Sequence, residues 1–141
     1  MNENKNSEKA DKDNYLAAYF YRAPKKNHDA ISQNLKKFIP WFASNGVRLE
    51  YYHLAGKDTQ EIIDSAKASG MDIMENISKT LAAEDEDIWI ELQYFIDHNH
   101  SKEVYAKMMT DKSLEPLGNE FFSLITQGKK LITGTFNRLE H

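Results

Sequence analysis

The chain has 141 residues, a formal net charge of −4 and no cysteine, with 40% hydrophobic and 28% charged residues. That length suits one domain burying roughly 65–70% of its unfolded surface, and no apolar run approaches the ~18 residues of a membrane-spanning helix. The acidic balance argues against nucleic acid, which is held by clustered Lys and Arg, and the missing cysteines remove disulfides, thiolate nucleophiles and cysteine-ligated metals while making a cytoplasmic setting the default.

Residues 1–14 are polar and charged with no apolar segment, so a disordered tail is expected there rather than a targeting signal. Tyr15 to Ala23 is rich in aromatics and reads as a first strand closed by Pro24, which brings no donor to a ladder. Asn27 is placed to cap a helix whose Ile31, Leu35, Phe38 and Phe42 share one face, with Asn45-Gly46 as the stop. Pro40 lies inside that helix and is expected to kink it near Lys36 or to break it.

Val47 to Leu54 alternates cleanly as a second strand. The connection to the third strand is much longer than a hairpin and holds two capping-box patterns, Asp58 with Glu61 and Asp72 with Glu75. They predict a helical insert over 58–83, with Ile62, Ile63 and Ala66 facing the core from its first helix and Ile73, Ile77 and Leu81 from its second. Ile88 to Ile96 alternates as the third strand. Asp97 to Ser101 reads as a polar loop, followed by a helix carrying Val104, Tyr105, Met108 and Met109 and by another with Leu114, Leu117, Phe121 and Leu124, Pro116 sitting in its first turn. A last strand runs through Leu131, Ile132, Thr133 and Phe136. Leu139-Glu140-His141 matches the start of an expression tag, so residues 139–141 are set apart from a single domain over 15–138.

The order is βαββαβ with an insert between strands 2 and 3, which predicts an α+β, ferredoxin-like, four-stranded antiparallel sheet with helices on one face. At Ser101-Lys102-Glu103, Lys107-Met108-Met109, Asp111, Gly118 and Gly128 to Phe136, the chain resembles the YbaA-like family of bacterial proteins, within the dimeric α+β barrel superfamily. The likeness is best over 87–136 and returns over 15–46, while the insert departs from it. The resemblance implies a homodimer whose two sheets face each other as a barrel. The family has no settled activity, so no catalytic residue is carried over.

If Leu16, Ala18, Phe20, Val47, Leu49, Tyr51, Ile88, Ile90 and Leu92 point at the helices, alternation puts a second set on the opposite face. That set includes Tyr15, Tyr19, Tyr21, Arg48, Glu50, Tyr52, Trp89, Glu91, Gln93, Phe95, Thr133 and Thr135. Aromatic surface on that scale calls for a cover, and a second copy of the chain is the simplest. A small molecule held between the sheets is the sharper expectation, with Tyr19, Tyr52 and Trp89 as walls, Arg48, Glu91 and Gln93 as orienting groups and Thr133 beside them.

Other chemistries find few residues. Asp97, His98 and His100 bring two imidazoles and a carboxylate together, but two ligands at i and i+2 need a third from elsewhere, and a solvated polar loop is the expected reading rather than a metal site. His28 reads as surface, and His53 as a structural histidine at a strand end. No nucleophile elbow, dinucleotide fingerprint or phosphate loop is present. RNA-recognition folds also stack bases on a βαββαβ sheet, but the third strand lacks their signature. No metal site and no cofactor are assigned. The leading function is a small-molecule-binding barrel of unknown reaction; the alternatives are a cofactor-free or haem-using monooxygenase, by fold analogy, and a structural or partner-binding module.

Overall fold

The computed structural model describes residues 13–81, 84–126 and 131–139. Most of the expected tail, Gly128 to Lys130 of the resemblance, and Glu140 and His141 lie outside these residues. The described chain runs β1 (Tyr15–Pro24), α1 (His28–Ser44), β2 (Arg48–His53), α2 (Gly56–Ala68), α3 (Ile77–Leu81), β3 (Glu86–Phe95), α4 (His98–Thr110), α5 (Glu115–Leu124) and β4 (Ile132–Asn137). Single 3-10 turns at Lys25–Asn27 and Lys112–Leu114 precede α1 and α5.

The four strands form one antiparallel sheet in the order β2-β3-β1-β4, the ferredoxin-like arrangement expected from the sequence. β1 and β3 are the central strands and pair along their whole length, from Tyr15 opposite Phe95 to Pro24 opposite Glu86. One side of the sheet packs against α1, α4 and α5 through two apolar clusters. Tyr21, Ala23 and Trp89 meet Ile31 and Leu35 of α1 and Ile125 in one. Ala17 and Phe95 meet Phe42, Val47 and Val104 in the other.

These clusters overturn the predicted division of the sheet. In β1 and β3 the covered face carries Tyr15, Ala17, Tyr19, Tyr21, Trp89, Glu91, Gln93 and Phe95, while Leu16, Phe20, Ile90, Leu92 and Tyr94 are on the other side. Only β2 follows the expectation, with Leu49 and Tyr51 inward. Register explains the error: Leu49 pairs with Gln93 and Tyr51 with Glu91, so each pair must share a face. Both faces of β1 and β3 are apolar, and a period of two cannot say which of two apolar faces receives the helices.

Several local expectations also change. Pro40 stays inside an unbroken α1, on its exposed side. Asn27 makes no side-chain cap; its amide donates instead to the Leu124 carbonyl at 2.8 Å and ties the start of α1 to the end of α5. The second insert helix begins at Ile77 rather than near Asp72, because Asn76 is the residue whose side chain accepts from the Ser78 N–H at 3.1 Å. α2 buries none of its residues, and Ile62 is 63% exposed rather than in the core. α4 starts at His98, with Asp97 accepting from the His100 N–H at 2.8 Å, so the expected loop is a capped helix start.

Candidate functional site

Between the covered sheet face and the helices lies a cavity of about 350 Å³, whose walls include Phe38 and Phe42 of α1, Met108 of α4, Phe121 of α5 and Leu131. Met109 and Phe122, 88% and 54% exposed, stand where it reaches the surface. The walls follow from sequence spacing: Phe38 and Phe42 are one turn apart on α1, as Tyr105 and Met108 are on α4, and both pairs look toward the sheet.

The sheet supplies the polar floor. Tyr19, Tyr21, Glu91 and Gln93 come from the central strands β1 and β3, where Tyr19, Glu91 and Gln93 are flanked by paired backbone on both sides and Tyr21 pairs with Trp89 of β3. Tyr105 donates its hydroxyl to Gln93 Oε1 at 2.5 Å, and the Gln93 amide donates to Glu91 Oε2 at 2.5 Å. With the Tyr105 proton so used, Tyr19 donates to the Tyr105 oxygen at 2.8 Å. The result is a directed chain, Tyr19 to Tyr105 to Gln93 to Glu91, ending on a carboxylate.

Burial raises the Glu91 carboxyl above the ordinary carboxylate range, and the bond from Gln93 only partly offsets it. Glu91 keeps some contact with solvent as a residue, but protein atoms surround its carboxyl group. The neighbouring phenols respond to the same environment. Tyr21 is pushed up by burial and then by the Glu91 charge, Tyr51 by burial, Glu91 and Tyr21, and Tyr105 by burial and its bond with Tyr19. All three are neutral at physiological pH, and Tyr105 uses its proton on Gln93. The Tyr21 hydroxyl is buried and has no hydrogen-bond partner among the described residues. Such a group costs about 1–3 kcal/mol unless something satisfies it.

Of the seven residues expected to form a site between two sheets, three meet in this cavity: Tyr19, Glu91 and Gln93. Trp89 is on the same face but lies further along β3, 3% exposed, in the core beside His28 and His53. Arg48 and Tyr52 belong to the opposite face. Arg48 pairs with Glu50 at 2.9 Å and Asp13 at 3.1 Å and lies 3.9 Å over the Tyr94 ring, so it is an edge ion pair rather than a cavity group. Thr133 pairs with Tyr19 across β1 and β4, but its hydroxyl donates to the Ala18 carbonyl at 3.0 Å and the residue is exposed. The spacing of Tyr105 on α4 reads as core and hides its polar role; Tyr21 lies on the covered side, opposite to the expected one, with the rest of its strand.

The histidine loop is committed elsewhere. His100 Nδ1 accepts from the Ile96 N–H at 3.0 Å, which leaves Nε2 to donate to the Asn45 carbonyl at 2.8 Å. With Asp97 capping α4 and His98 3.2 Å from the Tyr15 hydroxyl, these residues bind β3, α4 and the end of α1 to one another.

Ladder and cavity together define a ferredoxin-like α+β domain with an internal, carboxylate-bearing pocket between its sheet and its helices. No family model matches the chain, and no curated protein matches it. Among solved structures it is similar to SnoaB, a cofactor-independent oxygenase from Streptomyces nogalater, with 9% identity and a TM-score of 0.49 over 91% of this chain and 96% of that one. A substituted form of the same oxygenase gives 11% identity and the same TM-score and coverage. The fold assignment rests on the strand ladders of this chain, and no helix among its described residues is long and apolar enough to cross a membrane.

Proposed function

We propose that the chain binds a small, flat, largely apolar molecule carrying a hydroxyl group in the cavity between sheet and helices, and that Glu91 acts there as a proton acceptor. The observation that carries this reading is the pairing of opposites at one spot: a carboxylate fed by a one-way hydrogen-bond chain, and an unpartnered Tyr21 hydroxyl, inside apolar walls. A ligand hydroxyl satisfies both, accepting from Tyr21 while donating to Glu91. At about 350 Å³ the space suits one or two fused rings, at the small end of ligand pockets. A raised carboxyl pKa moves the group toward the range in which a general base operates.

The reading shifts the ligand from between two sheets to within one chain, which frees the other sheet face for a second copy. Leu16, Phe20, Ile90 and Leu92 line that face in the central strands, with Ile132 48% and Phe136 53% exposed on β4. A homodimer through this surface covers it. Assignment to the YbaA-like family rests on the motifs of the last third, and the cytoplasmic setting on the cysteine-free sequence.

A cofactor-free monooxygenase is the second reading, and Glu91 favours it too, because removing a proton from a bound phenol or carbon acid makes the electron-rich anion such chemistry begins from. The haem-using version fits less well, since no histidine among the described residues lines the cavity. A purely structural module leaves a space of this size unexplained.

Titration with 2-naphthol, followed by its own fluorescence, tests the proposal. Saturable binding should be abolished in Gly118→Phe, because Gly118 lines the cavity and has nothing within 4 Å of where a Cβ would stand. Glu91→Gln should remove the preference for 2-naphthol over naphthalene. Binding unchanged in Gly118→Phe, or no saturable binding by the native chain, overturns the reading.

A further inference from the structure

Outside the cavity, one cluster of side chains has donors that neither the fold nor the proposed reaction uses. His28 opens α1, His53 closes β2 and Asp87 stands at the start of β3, so three separate elements deliver two imidazoles and a carboxylate to one end of the sheet. One donor atom of each lies within 4.8 Å of the other two. His28 Nδ1 is 4.0 Å from Asp87 Oδ2, and the two imidazole rings meet edge to face with centroids 4.9 Å apart. Register enforces the meeting, because His53 pairs with Trp89 and so shares its face with Asp87, two residues away on the same strand.

Two further observations separate this cluster from an ordinary surface ion pair. Trp89 packs against both imidazoles, at 5.1 Å from His28 and 5.6 Å from His53, and so holds the two rings on a rigid, buried support. The rings also line a cleft of about 680 Å³ with Lys36, Tyr51 and Tyr52, and no hydrogen-bond partner among the described residues reaches the His53 nitrogens.

We propose that His28, His53 and Asp87 form a binding site for a divalent transition-metal ion, zinc in the first instance, with its remaining positions open to the cleft. Donor chemistry sets the class: imidazole with carboxylate suits zinc and its neighbours, whereas calcium and magnesium take oxygen ligands. Bond lengths of ~2.1 Å place tetrahedral donors ~3.4 Å apart, so atoms now within 4.8 Å of one another need to close by at most about 1.4 Å through side-chain rotation. The side chains have that freedom, His28 being 39% and Asp87 23% exposed. Three protein ligands and an open position are the arrangement of a site that can polarise a bound water or hold a ligand from the cleft. The ion also clamps the edge strand β2 to the start of α1, and this site stands or falls separately from the Glu91 cavity.

Cobalt(II) is the probe, added to the full chain with no appended polyhistidine and with Trp41→Phe, which leaves Trp89 as the single tryptophan. Co2+ bound by both histidines sits beside the Trp89 ring and should quench its fluorescence saturably at one ion per chain, with Kd on the order of 10 µM or lower, and Zn2+ should reverse the quenching. His53→Ala and Asp87→Asn should each weaken binding by at least ~10-fold, while His98→Ala, which removes an imidazole elsewhere, should leave it unchanged. Far-UV circular dichroism and thermal melting of the metal-free variants check that both still fold, and the native chain alone should melt at higher temperature with Zn2+ than without. No saturable quenching up to about 100 µM Co2+, or equal affinity in His53→Ala, overturns the site.

Discussion

The two faces of the sheet are both apolar, yet they carry opposite kinds of polarity. On the covered face Tyr19, Tyr21, Glu91 and Gln93 sit at the centre of the strands, surrounded by Phe38, Phe42, Met108 and Phe121, with most of their polar atoms in a directed chain. On the open face the centre is Leu16, Phe20, Ile90 and Leu92, and polar groups are pushed to the margin, where Arg48 pairs with Glu50 and Arg22 lies 3.5 Å from Glu86. A buried carboxylate is expensive to hold without a task. A smooth apolar centre with a charged rim is instead the composition of a surface that meets another protein. Placing function on the covered face and assembly on the open one accounts for both.

Substitutions of the same type on the two faces give the largest expected contrast. Phe95 is 0% exposed among Ala17, Phe42, Val47 and Val104, so Phe95→Ala should lower unfolding free energy by about 3–5 kcal/mol. Phe136 is 53% exposed on the edge strand of the open face, and Phe136→Ala should cost the isolated chain less than about 1 kcal/mol. Urea denaturation of both variants at low protein concentration measures the difference, and equal losses would break the division between faces.

Assembly comes next in size. The native chain should scatter light as a species near twice 16.3 kDa. Leu92→Lys puts a charge at the centre of the open face, beside Ala18 and Glu50 in register, and should weaken association by on the order of 2–3 kcal/mol, yielding monomers at micromolar concentration. Glu91→Lys, one residue away, points into the cavity and should damage the fold of each chain instead. A native chain that is monomeric at all concentrations would remove the open face's partner.

Glu91 itself should write a smaller signature on stability. Its carboxyl is raised in the folded state from an ordinary value of 4.5, chiefly by burial, so the folded chain holds that proton more tightly than the unfolded one. The stabilisation is complete below pH 4.5 and is lost as pH rises through the folded pKa, at a limiting rate of about 1.4 kcal/mol per pH unit. Glu91→Gln should abolish this part of the pH dependence in thermal melts at a series of pH values. A profile identical to the native one would show that the carboxyl is not desolvated, and the two faces would differ less than drawn here.

The order of elements was legible because each signal was local: Asn45-Gly46 as a stop, Pro116 in a first turn, the alternation of Ile88 to Ile96. The covered face was not, because it depends on register between strands distant in sequence. Tyr51 was correctly placed inward from its own strand, and only its pairing with Glu91 reveals that Glu91 must follow it. The cavity shared this fate. Tyr19, Glu91 and Gln93 share one face, as alternation predicts, but that face receives the helices. Tyr105, which connects them, came from a helix where it read as core filling. The insert holds two helices, as its patterns predict, but the second starts after Asn76, whose side chain caps it, rather than near Asp72, and α2 packs none of its residues into the core.

The smallest expected effect has the opposite sign and separates backbone from cavity. Gly118 lies inside α5 in an ordinary helical conformation, lines the cavity, and has no atom within 4 Å of an added Cβ. Helix propensity therefore acts alone, and Gly118→Ala should stabilise the chain by about 0.5–1 kcal/mol, while one methyl leaves most of the space for a ligand. Gly46 is the control. It ends α1 with φ +76°, and a Cβ there would stand 3.4 Å from His100 Nε2, so Gly46→Ala should destabilise by a comparable or larger amount. Thermal melts of the two variants should move in opposite directions. Loss of stability in Gly118→Ala would mean that the cavity wall is closed at α5 in solution, and the pocket assigned to the covered face would have to be smaller than the structure draws it.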